Sequence, residues 1–251
     1  MTDATIPTLA ANATLALFLD ADGTLIELAS TPDAVVVPAS LKSLLKDLAE
    51  RLDGALALVS GRSISTLDSL FAPTKVAAAG IHGCERREVD GTLHRPQIDA
   101  TSFAAAREEL AAWASRHPGT LLEDKGYALA LHYRQAPALE SAAFDATGKA
   151  LQRLAGMHEL QRGKFVFEIR PTGYSKGSAI EAFMHERPFR GRTPVFIGDD
   201  VTDEAGFVVV NQLGGISIRV GDVAATAAKH HLANVSAVRA WLNTLQINGQ
   251  P

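Results

Sequence analysis

Short apolar runs alternate with helical segments along the first part of the chain. Continuous apolar runs occupy residues 15–19, 55–59 and 76–79, and leucine recurs every third or fourth position along residues 40–52. An apolar run this short suits a strand buried on both faces, whereas the leucine spacing predicts an amphipathic helix. Strand and helix in alternation are typical of a doubly wound, mostly parallel sheet. The first part of the chain therefore predicts an α/β core.

The pattern changes after residue 84. Residues 85–95 predict a hairpin that turns at Asp90 and Gly91, because Asp-Gly is a favoured pair for tight hairpin turns. Between residues 96 and 170, two helical segments (103–117 and 138–154) are mixed with two pairs of strands. Helices segregated from antiparallel strands form an α+β arrangement, which differs from the segments on either side.

The core pattern resumes after this segment. Residues 176–184 predict a helix, the short apolar run at 194–197 predicts a strand, and residues 216–220 predict a last strand. We therefore predict a core domain of residues 1–95 and 172–251, with an inserted α+β cap domain of residues 96–171.

Composition limits the classes of partner. The chain has 251 residues, 47% of them hydrophobic, and a formal net charge of −4, which gives no support to a nucleic-acid or anionic-membrane partner. One cysteine excludes an internal disulfide framework and suits a reducing cytoplasm. Residues 1–12 lack the features of a signal peptide, and no apolar run has transmembrane length. We expect a cytoplasmic protein, with an unstructured tail at the start, that binds a small molecule.

Two carboxylates, Asp20 and Asp22, follow the first predicted strand, and Gly23 comes directly after them. Ligands of parallel sheets bind at this end of the strands. Nearby carboxylates repel each other, which favours a bound cation, a shared proton, or a nucleophile paired with an acid. Phosphoryl transfer through an aspartyl-phosphate uses such a pair together with a divalent metal. An Asp-rich turn without catalytic function is the alternative interpretation.

Two other segments carry groups that suit an anion. Ser60 and Gly61 follow the second predicted strand, where a hydroxyl and close backbone N–H groups can bind a phosphate oxygen. A simple helix cap is the alternative for Ser60. Lys176 falls in the first turn of a predicted helix, where a cation opposes the helix dipole unless an anion binds there. A solvated surface lysine is the alternative for Lys176.

Four acidic residues lie within six positions after the predicted strand at 194–197. Oxygen ligands in this number suit Mg²⁺, which keeps several waters and takes few protein carboxylates. We expect Asp199 to bind the metal directly, and Asp200 and Asp203 to orient waters or the lysine. Stabilisation of a helix N-terminus is the alternative for Asp203 and Glu204, and it leaves the first two acids unexplained.

Polar residues also mark three places in the predicted cap. The alternation along residues 164–170 predicts an apolar face formed by Phe165, Phe167 and Ile169 and an opposite polar face. Sugar hydroxyls both donate and accept hydrogen bonds, and charged side chains fixed on a strand bind them well. A solvent-facing sheet surface with cross-strand ion pairs is the alternative. The candidate substrate-binding residues are Glu123, Lys125, His132, Lys164, Glu168 and Arg170.

These motifs occur in the order found in a known family. Asp20-Ala21-Asp22-Gly23-Thr24-Leu25 resembles the first signature of the haloacid dehalogenase (HAD) superfamily of phosphatases. The cap motifs are similar to those of the trehalose-6-phosphate phosphatase family within this superfamily. The first signature departs from that family at Ala21, where many members carry tyrosine. The other matching pieces are Val59-Ser60-Gly61-Arg62, Gly80-Ile81-His82-Gly83-Cys84-Glu85, Glu123-Asp124-Lys125-Gly126, Leu131-His132-Tyr133-Arg134, Glu168-Ile169-Arg170-Pro171, Lys176-Gly177 and Gly198-Asp199-Asp200-Val201-Thr202-Asp203-Glu204.

The resemblance implies a role for each core motif. Asp20 would be the nucleophile and Asp22 the general acid and base. Ser60, Gly61 and Lys176 would bind the phosphate group.

The resemblance also implies a Mg²⁺ ion bound by Asp20, Asp22 and Asp199, with Asp200 and Asp203 at the metal or just beyond its direct ligands. In the cap, Glu123, Lys125 and Glu168 would hold the sugar distal to the phosphate.

The activity implied is Mg²⁺-dependent hydrolysis of trehalose 6-phosphate to trehalose and phosphate through an aspartyl-phosphate, the last step of trehalose biosynthesis. The enzyme is expected to be a monomer that acts after trehalose-6-phosphate synthase. A phosphatase for another sugar phosphate, such as sucrose phosphate or a glycosyl-phosphoglycerate, is the first alternative, because it would share the core and differ in the cap. A phospho-accepting receiver-like module without turnover is the second.

Overall fold

The computed structural model describes residues 14–28, 35–154, 156–222 and 225–245, so the expectation for residues 1–12 lies outside the described residues. Twelve strands are described: β1 (Leu15–Leu19), β2 (Leu56–Val59), β3 (Ala77–Gly80), β4 (Glu85–Arg87), β5 (Leu93–His94), β6 (Leu121–Asp124), β7 (Leu129–His132), β8 (His158–Gly163), β9 (Val166–Pro171), β10 (Thr193–Gly198), β11 (Ile216–Val220) and β12 (His230–Leu232). Seven α-helices are described: α1 (Ala39–Arg51), α2 (Ile64–Phe71), α3 (Ala100–Ser115), α4 (Glu140–Leu151), α5 (Lys176–Met184), α6 (Glu204–Gln212) and α7 (Val235–Thr244).

The chain divides into two compact units. One consists of Met1–His94 and Tyr174–Pro251, and the other of Arg95–Gly173. The predicted boundaries lie within two residues of these limits. That the second unit acts as a cap stays a prediction.

The first unit contains one sheet of eight strands, in the order β12-β11-β10-β1-β2-β3-β4-β5. The pairs from β12 to β3 are parallel, and the last two pairs are antiparallel. The chain builds outwards from β1 in one direction and from β10 in the other, so the strand order reverses between them. This topology confirms the predicted doubly wound, mostly parallel sheet. Such a reversal is the point at which α/β sheets bind ligands.

The residue pattern explains why β1 lies at the centre. All five of its residues are buried, and it pairs with β10 on one side and β2 on the other. A strand that is apolar on both faces is stable only when both faces are covered and both edges are paired. The carboxyl ends of β10, β1 and β2 therefore lie side by side.

The second unit contains a four-stranded antiparallel sheet in the order β6-β7-β9-β8. Its core is formed where α3 and α4 pack on one face of the sheet, and this arrangement confirms the predicted α+β class. The buried residues of this core are Phe103, Ala106, Leu110, Leu129, Leu131, Tyr133, Ala143, Ala150, Leu154, Phe167 and Ile169.

Two local predictions are wrong. Strand β9 begins at Val166, so Lys164 and Phe165 lie in the turn of the β8-β9 hairpin rather than on a strand. Phe165 has a φ of 63° and is 37% exposed, so it does not belong to the apolar face. A two-residue turn does not interrupt the alternation of apolar and polar residues in the flanking strands, so the sequence pattern does not reveal the turn.

Strand β12 is not predicted from the sequence, because its residues do not form an apolar run. It forms by parallel pairing with β11 at the edge of the core sheet. Among the described residues, no helix is both long enough and apolar enough to cross a membrane.

Candidate active site

Three candidate residues follow the carboxyl ends of neighbouring strands. Asp20 follows β1, and its backbone N–H donates to the Ile197 carbonyl at 3.0 Å. Ser60 follows β2, and Asp199 follows β10. Because these strands are parallel and adjacent, the three residues lie at one edge of the sheet, as the sequence predicts.

Lys176 joins this edge from helix α5. Ser175 caps the helix by accepting a hydrogen bond from the Ser178 N–H at 3.0 Å, so helix α5 begins at Lys176. The Lys176 Nζ lies 2.6 Å from Asp20 Oδ1 and 2.6 Å from Asp203 Oδ1, and the residue is only 2% exposed. Lys176 is therefore a buried cation held between two carboxylates, and the alternative of a solvated surface lysine is wrong.

Three carboxylates form a group at this edge. Asp20, Asp199 and Asp203 each place an oxygen within 4.8 Å of the others. Oxygen donors of this kind match the preference of Mg²⁺, so the residues fit the implied metal. Asp203 also binds Lys176, in agreement with the role expected for it.

The turn after β1 is shaped to accept this group. Gly23 has a φ of 76°, and a Cβ at this position would lie 2.1 Å from Asp199 Oδ2. The buried Thr24 hydroxyl donates to Asp199 Oδ1 at 3.3 Å. Glycine is therefore needed here both for the backbone conformation and for the close approach of a carboxylate.

Burial and mutual repulsion set the charges of the group. Burial raises the pKa of Asp20 well above its ordinary value; Lys176 opposes this effect, and the neighbouring carboxylates add to it. Burial, together with Asp203, raises the pKa of Asp199 to about 6. Burial alone would lower the pKa of Lys176, but the charges of Asp20 and Asp203 raise it above its ordinary value. A divalent cation would favour the ionised carboxylates.

The side chain of Asp22 lies elsewhere. Its two carboxylate oxygens accept hydrogen bonds from Arg62 Nε at 2.6 Å and from Arg62 Nη2 at 2.8 Å. The group of three carboxylates contains Asp203 and not the Asp22 carboxylate, and a role of Asp22 as a metal ligand stays a prediction. A two-point guanidinium contact holds a carboxylate in a defined orientation.

Ser60 and Gly61 are held tightly by their surroundings. Ser60 is buried, and its Oγ accepts from the Arg62 N–H at 3.1 Å, which leaves the hydroxyl proton available to an acceptor. A Cβ on Gly61 would lie 2.6 Å from the His82 ring, so contact with His82 already accounts for this glycine. Phosphate binding by both residues stays a prediction.

Asp200 differs from its acidic neighbours. Its side chain is exposed and accepts a hydrogen bond from the Val201 N–H at 2.7 Å, where it caps a short 3₁₀ turn (Val201–Asp203). Asp203 completes the cap, because its Oδ2 accepts from the Asp200 N–H at 2.9 Å. Capping explains the Asp200 side chain, and a role at the metal stays a prediction.

Four of the candidate sugar-binding residues of the second unit lie on the sheet face opposite its helices, namely Glu123, His132, Glu168 and Arg170. Lys125 Nζ is 3.0 Å from Glu168 Oε1, and both side chains are largely buried. His132 Nε2 is 2.9 Å from Glu123 Oε2. Burial acts to raise the pKa of Glu123, but the hydrogen bond from His132 and the charge of Lys125 lower it overall. The structure thus brings four of the six candidates together as one ion pair and one hydrogen-bonded pair.

The remaining two candidates, Arg170 and Lys164, differ in their position: one lies on the polar face of the sheet and the other in a turn. Arg170 lies on the same face as Glu168 and pairs with Glu159, with Nη2 at 2.7 Å from Oε1. Lys164 is exposed in the hairpin turn, outside the row of strand residues.

Arg62 is the main residue of the core site for which the sequence analysis gives no role. The position of Ser60 after a strand marks it as a candidate in the sequence. The contact of Arg62 with Asp22 joins two loops that are 40 residues apart, so local sequence does not indicate it. The Arg62 position within the Ser-Gly-Arg motif was the available signal.

The comparisons with known proteins agree with this geometry. The family model described as trehalose-phosphatase matches residues 18–237. The chain belongs to the trehalose-phosphatase family. This family membership covers both units, since the matched residues extend from β1 to α7.

Individual relatives support the family and the fold. A protein of Escherichia coli (strain K12) named trehalose-6-phosphate phosphatase is 47% identical over 245 residues, which cover 98% of this chain and 91% of that protein. A crystal structure of a trehalose-6-phosphate phosphatase related protein is 30% identical, with a TM-score of 0.77, covering 91% of this chain and 95% of that chain.

The fold extends to more distant phosphatases. A phosphatase of the haloalkanoate (HAD) enzyme superfamily from Bacteroides thetaiotaomicron matches with a TM-score of 0.60 at 16% identity, covering 96% of this chain and 97% of that chain. The trehalose-phosphatase family member described here therefore has the HAD fold that the first signature predicts.

Proposed function

We propose that the protein hydrolyses trehalose 6-phosphate to trehalose and phosphate, with Asp20 as the nucleophile. The observation that carries the proposal is the buried group of Asp20, Asp199, Asp203 and Lys176 at the switch point of the sheet. Membership of the trehalose-phosphatase family and the name of the Escherichia coli relative support the choice of substrate.

The residues of the core divide the chemistry between them. One oxygen of Asp20 binds Lys176, and the other is available to attack phosphorus. The bond to the sugar oxygen breaks as Asp22 gives that oxygen a proton, leaving an aspartyl-phosphate on Asp20. Asp22 then takes a proton from water, whose oxygen attacks phosphorus and releases inorganic phosphate. The Ser60 hydroxyl and the Lys176 ammonium bind phosphoryl oxygens throughout.

Asp20 and Asp199 would hold a Mg²⁺ ion, and Asp203 would hold Lys176 beside it. When bound, the ion offsets the charge of the carboxylates and of the phosphoryl oxygens. Such a cation would favour the ionised form of Asp20, whose pKa burial raises, and only the ionised carboxylate is a nucleophile.

In the second unit, Glu123, Lys125 and Glu168 would bind the sugar. The contacts of Lys125 with Glu168 and of His132 with Glu123 hold these side chains in fixed positions, so that little side-chain freedom is lost when hydroxyls bind. The unit would thus act as a cap that selects the substrate, in a monomer acting after trehalose-6-phosphate synthase.

A panel of sugar phosphates, assayed by released phosphate with and without Mg²⁺, tests the activity. We expect a preference for trehalose 6-phosphate over sucrose phosphate and glycosyl-phosphoglycerates, and loss of activity in a chelator that added Mg²⁺ restores. Asp20→Asn should abolish turnover while the melting curve stays close to that of the wild type. An active, well-folded Asp20→Asn protein would exclude Asp20 as the nucleophile.

Selection by the second unit is tested separately. Glu168→Ala should reduce activity on trehalose 6-phosphate far more than on p-nitrophenyl phosphate, which has no sugar. Because the substitution leaves the buried Lys125 without this partner, Glu168→Gln serves as a second variant of similar shape. Equal losses on both substrates would remove Glu168 from sugar recognition.

A further inference from the structure

One residue on the polar face of the second sheet has no role in the proposal so far. Strand register places Glu123, Ala130, Glu168 and Gln161 opposite one another, one from each strand of the sheet. Residues that are directly opposite share a face. Gln161 on β8 therefore continues the row that contains the two glutamates of the proposed sugar site.

The opposite face already supplies the packing of this unit. Leu160, which precedes Gln161, packs against the core formed with α3 and α4, and Arg162, which follows it, lies over the Phe144 ring at 4.2 Å. Since side chains alternate along a strand, Gln161 points away from the helices. Packing in the core does not account for its residue type.

The hydrogen bonding of Gln161 is incomplete. Its Oε1 is shielded from solvent, yet no described residue donates a hydrogen bond to it. A shielded acceptor without a donor is unfavourable, because it has lost its hydrogen bonds to water. The neighbours on the same face are otherwise matched, because Glu168 binds Lys125 and Glu159 binds Arg170. Gln161 is thus a neutral amide between two satisfied ion pairs.

We propose that Gln161 is a further specificity-determining residue that hydrogen-bonds a hydroxyl of the sugar. An amide both donates and accepts, as a sugar hydroxyl does, and its terminal torsion is broad enough to turn the oxygen towards a ligand. The row from Glu123 to Gln161 covers three strand spacings, roughly 14 Å, a length that suits a disaccharide better than a single hexose. This inference rests on the proposed function of the second unit.

The test compares Gln161→Met with Arg162→Gln, a control on the same strand whose side chain lies on the opposite face. The wild type is first assayed on the sugar-phosphate panel and on p-nitrophenyl phosphate, and its preferred sugar phosphate is used afterwards. Loss of one neutral hydrogen bond should raise the KM of Gln161→Met for that substrate roughly 3- to 10-fold. The kcat/KM for p-nitrophenyl phosphate should change less than about twofold, and Arg162→Gln should resemble the wild type on both.

A second variant and a direct measurement keep the outcome clear. Gln161→Asn retains the amide on a shorter stem, so it replaces Gln161→Met if that variant unfolds. Calorimetric titration of trehalose 6-phosphate into the Asp20→Asn protein measures binding without turnover. The Gln161 substitution should change this Kd by the same factor as it changes the KM. An unchanged KM and Kd, or equal losses on the aryl and sugar substrates, overturns the role of Gln161. A wild type that prefers a different sugar phosphate overturns the trehalose assignment alone, whereas a wild type without any sugar preference overturns both.

Discussion

Adding a single methyl group at Gly23 should displace a proposed metal ligand. In Gly23→Ala, the new Cβ would lie 2.1 Å from Asp199 Oδ2, so the carboxylate must move by roughly 1 Å or more to reach an ordinary carbon contact of about 3.5 Å. The φ of 76° adds a backbone cost of about 1–2 kcal/mol for any residue with a Cβ. The two effects need to be separated, and the chain offers a control that does so.

Gly191→Ala is the matched control. Gly191 has a φ of 81°, and a Cβ there would meet nothing within 4 Å. Both variants should therefore lose about 1–2 kcal/mol of unfolding free energy from the backbone, measured by urea denaturation. Gly23→Ala should lose more, because the Asp199 carboxylate must also shift.

Activity should distinguish the two variants more sharply than stability. A misplacement of about 1 Å in a catalytic group can cost on the order of 100-fold in rate. We therefore expect kcat/KM for trehalose 6-phosphate to fall roughly 100-fold in Gly23→Ala, with weaker Mg²⁺ binding by calorimetric titration, and to stay close to wild type in Gly191→Ala. If both variants bind Mg²⁺ and turn over equally well, the argument from close approach is refuted.

Two other predictions concern Arg62 and His158. Arg62→Lys keeps the charge but loses the two-point contact with Asp22, so kcat for a sugar phosphate should fall about 10-fold, with a smaller loss for p-nitrophenyl phosphate, whose leaving group needs no proton. Equal losses would show that Arg62 does not act on the protonation of the leaving group by Asp22. Burial lowers the pKa of His158, so the unfolded chain binds a proton near pH 6.5 that the folded chain does not, and the unfolding free energy should fall as pH drops below that value. Urea denaturation at pH 7.5 and 5.5 should show a smaller fall in His158→Gln, and an equal fall in both proteins would assign the pH dependence to other groups.

The sequence predicts the core well because its strands are defined by local composition. Strand β1 has the predicted limits because its apolar run ends in polar residues, and strand β11 has them because glycine lies on either side of it. The proximity of Asp20 and Asp199 also follows from the sequence, because the carboxyl ends of adjacent parallel strands share an edge.

The remaining features depend on contacts between distant segments, which no local pattern encodes. The pairing of the Asp22 carboxylate with Arg62 joins two loops that are 40 residues apart in the sequence. Strand β12 exists only through its pairing with β11. Lys164 was placed on a strand because an alternating pattern does not show where a tight turn interrupts it.

The pairing of β1 with β10 affects how the protein can fold during synthesis on the ribosome. Thr24 and Asp199, which meet beside these strands, are 175 residues apart, so β1 is made early and waits for its partner until most of the chain has been translated. The four strands of the second unit pair only with one another, and they are complete before β10 emerges. We therefore expect the inserted unit to be able to fold first, while the nascent core still exposes an apolar strand edge that chaperones would have to shield.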